Sequence, residues 1–117
     1  MSGAESFADY TPAGGSVLDY AWSIASADSE FGYTIEGADA ASRFLDNGSA
    51  CGAGSGNTAD SCWGPFTTGN QVAAVSSSGN HPLGTETTVK LRAQSGTSHL
   101  QSDGLYQATI IVTALAL

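Results

Sequence analysis

Apolar and polar residues alternate with a period of two at several points along the chain, and no long stretch shows the 3.6-residue repeat of an amphipathic helix. The longest alternating stretch is the last. Gly104 to Leu117 is rich in β-branched residues, contains no Gly or Pro after Gly104, and follows the turn pair Asp103-Gly104. Tyr106, Ala108, Ile110, Val112, Ala114 and Ala116 share one parity, which predicts the core face of a central strand. On that register, Ile110→Ala is expected to cost about 2–5 kcal/mol. The other parity is polar early and apolar late, ending in Ile111, Leu115 and Leu117.

Three further segments read as strands on the same grounds. Ser16 to Ala25 places Leu18, Tyr20, Trp22 and Ile24 on one face, and Phe31 to Glu36 alternates Phe31, Tyr33 and Ile35 with Gly32, Thr34 and Glu36. Glu86 to Ala93 sets Thr87, Val89, Leu91 and Ala93 inward, against Thr88, Lys90 and Arg92. Gln71 to Ser76, carrying Val72 and Val75, is a weaker strand. Ala38 to Leu45 reads as a helical turn or a loop, and Asn47-Gly48 as a turn. Residues 1–15 read as a lead-in or extended N-terminal arm. A strand with one dry face needs a second layer to cover it. The expectation is one all-β domain over residues 1–117, an antiparallel β-sandwich of six to eight strands, Ig-like or jelly-roll-like.

Composition narrows the partners. Charged residues are 12% of the chain and the formal net charge is −8, with Arg43, Lys90 and Arg92 the only basic side chains. That balance disfavours nucleic acid and anionic lipid. At 41% hydrophobic with ten aromatic residues, the chain reads as folded rather than disordered. No run approaches the ~20 apolar residues of a membrane span.

Cys51 and Cys62 flank a Gly-rich segment. Their spacing excludes CxxC chemistry, and no His is near enough in sequence to complete a zinc set. A disulfide closing a short loop is the expected reading, with two buried free thiols as the alternative. The bridge would be worth about 3 kcal/mol in the chain-entropy model and implies an oxidising, extracellular compartment. The segment Met1-Ser2-Gly3-Ala4-Glu5 lacks a signal-peptide pattern. On the disulfide reading, an export signal has been removed and Met1 is a later start.

The run Asp103-Gly104-Leu105-Tyr106-Gln107-Ala108-Thr109-Ile110-Ile111-Val112-Thr113 resembles the terminal strand, of type G-x-Y-x-A-x-(I/V)-x-V-T-A, of secreted bacterial sandwich modules. These include Ig-like surface repeats and pilin-like surface proteins. Phe31-Gly32-Tyr33-Thr34-Ile35-Glu36-Gly37 resembles an internal strand of the same modules. The resemblance implies a sandwich fold and a cell-surface setting. Tyr106, two residues before Ala108, also resembles the tyrosine corner of Ig domains, with Ala in place of Cys.

Candidate chemistry is sparse. His81 and His99 fall in separate polar loops, and Ser98-His99 lacks any G-x-S-x-G context, so no catalytic residues are assigned. Asp28, Glu30, Asp39 and Glu36 are weak Ca²⁺ candidates without the D-x-D-x-D-G spacing; no other cofactor is expected. Lys90 alternates outward, which disfavours an isopeptide bond. Asn47-Gly48-Ser49 fits the glycosylation sequon.

Two function classes follow from these readings. The first is a non-catalytic surface structural or adhesive module that self-associates or docks neighbouring domains, with Ile111, Leu115 and Leu117 as its assembly surface. The second is a carbohydrate-binding module using Trp63, Phe66 and Tyr10 as stacking platforms, with Trp22 expected in the core.

Overall fold

A computed structural model describes residues 6–76 and 84–115 of the chain. Its regular structure is nearly all strand. Strand β1 is Ala8–Asp9, β2 is Ser29–Gly37 and β3 is Thr87–Ser95, with a single 3-10 turn at Ser42–Phe44. Among the described residues these strands form one open sheet in the order β1-β2-β3. The β2–β3 ladder is antiparallel over its full length, from Ser29↔Ser95 to Gly37↔Thr87. The short β1–β2 pairing is parallel, at Ala8↔Glu30 and Asp9↔Phe31.

Strand β2, and not the C-terminal stretch expected to be central, is the axis of the described residues. Both of its edges are satisfied. β3 lies along one; on the other, Tyr33 exchanges two backbone hydrogen bonds of 3.0 Å with Gly64, and Tyr10 N–H donates to the Phe31 carbonyl. Both faces are covered as well. On the apolar face, Phe66 stacks on Tyr33 at 4.3 Å and on Phe31 at 5.9 Å, and Phe44 tilts against Tyr33. On the other face, Thr34 is fully buried and its hydroxyl donates to the Ser61 carbonyl at 2.6 Å. Gly32 sits where a Cβ would approach the Gly64 carbonyl oxygen to 2.7 Å and Tyr10 Cβ to 2.8 Å, so any side chain there would force the layers apart.

The core joins Leu18, Tyr33, Ile35, Ala40 and Phe44 with Cys51 and Cys62. The two cysteines are bridged, with their Cα atoms 5.7 Å apart. Around the bridge the loop is held by hydrogen bonds in place of a ladder. Asp46 and Gly56 exchange backbone bonds of 2.7 and 2.9 Å, and Gly52 N–H donates to the Leu45 carbonyl. Asn57 clamps the end of β2 to the 3-10 turn: its Oδ1 accepts from Gly37 N–H, and its Nδ2 donates to the Ile35 and Phe44 carbonyls.

Several expectations are corrected. The described residues form three paired strands in an open sheet, with one parallel pairing. Ser16 to Ala25 is irregular: Asp19 bridges Trp63 and Val17 bridges Gly14, and no ladder continues from either. Gln71 to Ser76 likewise keeps a single bridge, Ala40↔Ala74. The lead-in is tied down from Ala8 onward, with Tyr10 and Pro12 buried.

The largest departure is at the C-terminal end. Residues 105–115 form no ladder and Ile110, read as core, is 36% exposed, with Val112 at 76%. Alternation is a local property of the chain and carries no information on whether a second layer is present to cover a face. Leu117 and His81 lie outside the described residues.

Candidate assembly surface

The C-terminal third of the chain presents two unpaired elements. The first is the outer edge of β3. Tyr33 uses both backbone groups on Gly64, on the side away from β3, so Tyr33 and Leu91 form a non-hydrogen-bonded pair. By alternation, the N–H and C=O groups of Val89, Leu91 and Ala93 point outward, and no described residue pairs with them. Their side chains continue the apolar face of the sheet, yet Val89 is 38% and Leu91 55% exposed. The sequence pattern placed these residues inward, but no described residue covers this end of the sheet as the Phe66 and Phe44 rings cover β2.

The second element is the segment 105–115. Its contacts with the rest of the chain are few. The Tyr106 ring meets Phe7 edge-on at 5.2 Å, and the Tyr106 hydroxyl donates back to the Ser102 carbonyl at 2.5 Å. That bond has the local form of a tyrosine corner without the two sheets around it. Between this segment and the sheet runs an apolar groove of about 560 Å³, lined by Phe7, Phe31, Leu91, Ala93, Tyr106 and Ile110 among others. Beyond it, Ile111 and Leu115 are 85% and 84% exposed.

The aromatic candidates for glycan binding are placed differently from expectation. Tyr10 and Trp63 are buried, at 1% and 2% exposure, so neither offers a ring face to solvent. Phe66 is half-buried and stacked on Tyr33. Tyr10 donates to the Asp19 carboxylate at 2.6 Å and accepts from Ser23 N–H. Burial, reinforced by the Asp19 hydrogen bond, holds its phenol well above the usual tyrosine range, so it stays neutral. Trp63 donates its indole N–H to the Asp60 carbonyl. Trp22, expected in the core, is only half-buried. It stacks on Tyr10 at 4.3 Å, donates to Gln94 at 2.6 Å and lies 5.0 Å from the Arg92 guanidinium. This cluster fastens residues 10–22 and 63 to the polar face of β3 through cation–π and stacking contacts.

The acidic candidates do not converge. Glu30 is buried and accepts from Thr11 N–H at 2.9 Å. Glu36 accepts from Asp60 N–H and pairs with Lys90 at 3.0 Å, and Lys90 also meets Asp60 at 2.7 Å. Those contacts, the Asp60 amide first, hold the Glu36 carboxyl below its ordinary range. Among the described residues, no group of three or more His, Cys, Asp or Glu side chains can hold a metal ion. His99 Nδ1 lies 3.0 Å from the Ala27 carbonyl.

Pattern reading missed Asp46, a buried carboxylate with three hydrogen-bond donors. It is 2% exposed and accepts from Gly48 N–H, Thr58 N–H and the Thr58 hydroxyl at 2.8–3.0 Å. The Thr58 bonds lead in drawing its carboxyl below the usual range. A sequence signal existed in Asp46-Asn47-Gly48, where an Asx turn would aim the carboxylate at its own backbone.

No protein-family model matches the chain, and neither does any curated protein or solved structure. Among the described residues, no helix is long and apolar enough to cross a membrane.

Proposed function

We propose that this chain is a non-catalytic extracellular module that acts by assembly, as a structural or adhesive component of a cell surface built from β-sandwich units. The observation that carries this reading is the exposed apolar end of the chain, where Leu105, Ile111, Val112 and Leu115 are each more than three-quarters exposed. Apolar surface of that extent is normally covered by a partner. The Cys51–Cys62 bridge supports an oxidising setting, and the terminal-strand resemblance supports a surface module. On this reading the second sandwich layer is completed by assembly.

The surface area agrees. A folded monomer of 11.8 kDa exposes roughly 5,900 Å² by the size scaling of globular proteins. This chain exposes 7839 Å². The excess, about 1,900 Å², is more than twice the roughly 800 Å² that one partner contributes to a standard protein–protein interface. Its radius of gyration is 16.0 Å, against about 13 Å for a compact chain of this length.

Sedimentation of the wild type against Ile111→Ser with Leu115→Ser tests the reading. Self-association or partner docking should weaken by about tenfold or more, with little change in the folding midpoint. A wild type that stays monomeric at millimolar concentration and docks to no surface protein would overturn it. A Trp22- or Phe66-dependent signal on a glycan array would put carbohydrate binding in its place.

A further inference from the structure

We infer that Asn47 is a self-modifying site: in the folded protein its side-chain amide becomes a carboxylate, without an enzyme, through a cyclic imide formed with the Gly48 nitrogen. The site lies in the turn leading into the Cys51–Cys62 bridge, so it stands or falls apart from the assembly reading above. Such a cyclisation needs an unobstructed backbone nitrogen, an acceptor for its proton, and donors for the oxyanion that develops on the side-chain oxygen. The turn supplies all three.

Asp46 and Cys51 bridge one another, and the exposed residues 47–50 form the turn between them. Asn47 Oδ1 accepts from Ser49 N–H at 3.0 Å, from the Ser49 hydroxyl at 3.1 Å and from Ala50 N–H at 2.9 Å. Three donors converging on one oxygen stabilise negative charge there, as an oxyanion hole does. Asn47 Nδ2, the leaving group, has no hydrogen-bond partner among the described residues.

Gly48 supplies the nucleophile. Its N–H donates to Asp46 Oδ1 at 2.9 Å, so a carboxylate already stands where the proton must go. That carboxylate is itself held in place by the Thr58 N–H and hydroxyl. Gly48 has φ +93°, and a Cβ built on it would meet nothing within 4 Å, so no side chain or neighbour obstructs its nitrogen.

The reaction balances with water alone. The Gly48 nitrogen bonds to Asn47 Cγ as its proton passes to Asp46, and the carbonyl π electrons move onto Oδ1. Their return expels Nδ2, which leaves as ammonia after taking up that proton through solvent. Water then opens the imide at either carbonyl and leaves aspartate or isoaspartate at position 47. The aspartate product suits the turn better than the amide does. A carboxylate only accepts, and the turn offers this side chain three donors and no acceptor.

Full-length protein incubated at neutral pH, folded in buffer or unfolded in urea, tests the inference. Ammonia release and peptide mapping follow the conversion, and hydroxylamine cleavage after position 47 traps the imide. The folded protein should convert about tenfold faster than the unfolded chain, which lacks the Asp46 and Ala50 contacts. Ser49→Ala removes the hydroxyl donor alone and should slow conversion by about threefold or more; solvent at the exposed turn keeps this below the loss at a buried oxyanion hole. Asp46→Asn removes the proton acceptor and should slow it further. Near-ultraviolet circular dichroism checks that both variants fold, and Ser49→Ala decides the matter if Asp46→Asn does not. A folded protein that converts no faster than the unfolded chain overturns the inference. So does an equal rate in Ser49→Ala, or ammonia release that maps to Asn57, Asn70 or Asn80 and leaves Asn47 intact.

Discussion

The two ends of the β2–β3 ladder's surroundings differ in one respect, which is how many layers lie over them. Around β2, every direction is filled: β3 and Gly64 at the edges, Phe44 and Phe66 on one face, Tyr10, Trp63 and the buried Thr34–Ser61 contact on the other. β3 and the segment after it have the same alternation of apolar and polar residues, but they are covered on one side at most. Ile35 is 1% exposed and Leu91, on the same face one strand away, is 55%. Equal patterning with unequal burial means that the apolar residues of the two regions stabilise different things. Those around β2 stabilise the fold, and those of the C-terminal third, left exposed, add little to it; on the proposed reading they serve association.

The largest test of this difference compares truncations in the two regions. Phe44→Ala removes a side chain that is 1% exposed and packed against Tyr33, and should lower folding stability by about 3–5 kcal/mol. Ile110→Ala, at 36% exposure on the rim of the groove, should cost under about 1 kcal/mol. Urea denaturation of both variants at low protein concentration, where association does not contribute, makes the measurement. Similar losses at the two positions would mean that the C-terminal segment belongs to the folding core.

Next in size is the disulfide. Reducing Cys51–Cys62, which closes a loop of sequence separation 11, should cost about 2–3 kcal/mol. Because both cysteines sit in the core with Leu18 and Phe44, the loss should appear in the protection of β2 amides against hydrogen exchange. The amides of 105–115 should exchange at the same rate before and after reduction. If they slow or quicken with the bridge, the two regions are coupled and the comparison is too simple.

Much of this organisation was legible in the residues, and the boundary of what was legible has a physical cause. The two ladder strands were found because alternation over Phe31–Glu36 and Glu86–Ala93 is a local property of extended backbone. The disulfide followed from spacing and composition. Ser16 to Ala25 alternates equally well, yet its backbone bonds go to scattered partners, among them Trp63, Cys62 and the Tyr10 hydroxyl, and its aromatic Trp22 turns to Tyr10 and Arg92. Those partners are remote in sequence, so periodicity could not reveal them. Asp46 was passed over for the same reason: its Thr58 partner is 12 residues away across the cysteine loop. At the candidate surface, Ile111 and Leu115 could be read as apolar on the second parity, but that the first parity is also uncovered depends on a layer that no described residue supplies.

The smallest expected effect is electrostatic, and it also separates the two regions. Asp46 is held ionised by three hydrogen bonds from Gly48 and Thr58, so its folded-state value lies below its unfolded one. For a carboxylate shifted in that direction, the stabilisation is complete above the unfolded value, near ~3.9, and is lost as pH falls through the lower folded value. Glu36 shifts the same way through the Asp60 amide and Lys90, and adds to the same acid limb. Both groups grip the region around β2 and the cysteine loop, while residues 104–115 carry no carboxylate side chain at all. Acid titration followed by amide chemical shifts should therefore move Gly48 and Thr58 together with the loss of stability, and leave Thr109 and Ile111 in place until the whole chain unfolds. Asp46→Asn keeps the shape and abolishes the titration, so its stability should fall at neutral pH and the remaining acid dependence should be shallower than in the wild type. An unchanged acid limb in Asp46→Asn would place the pH sensitivity outside the cysteine loop.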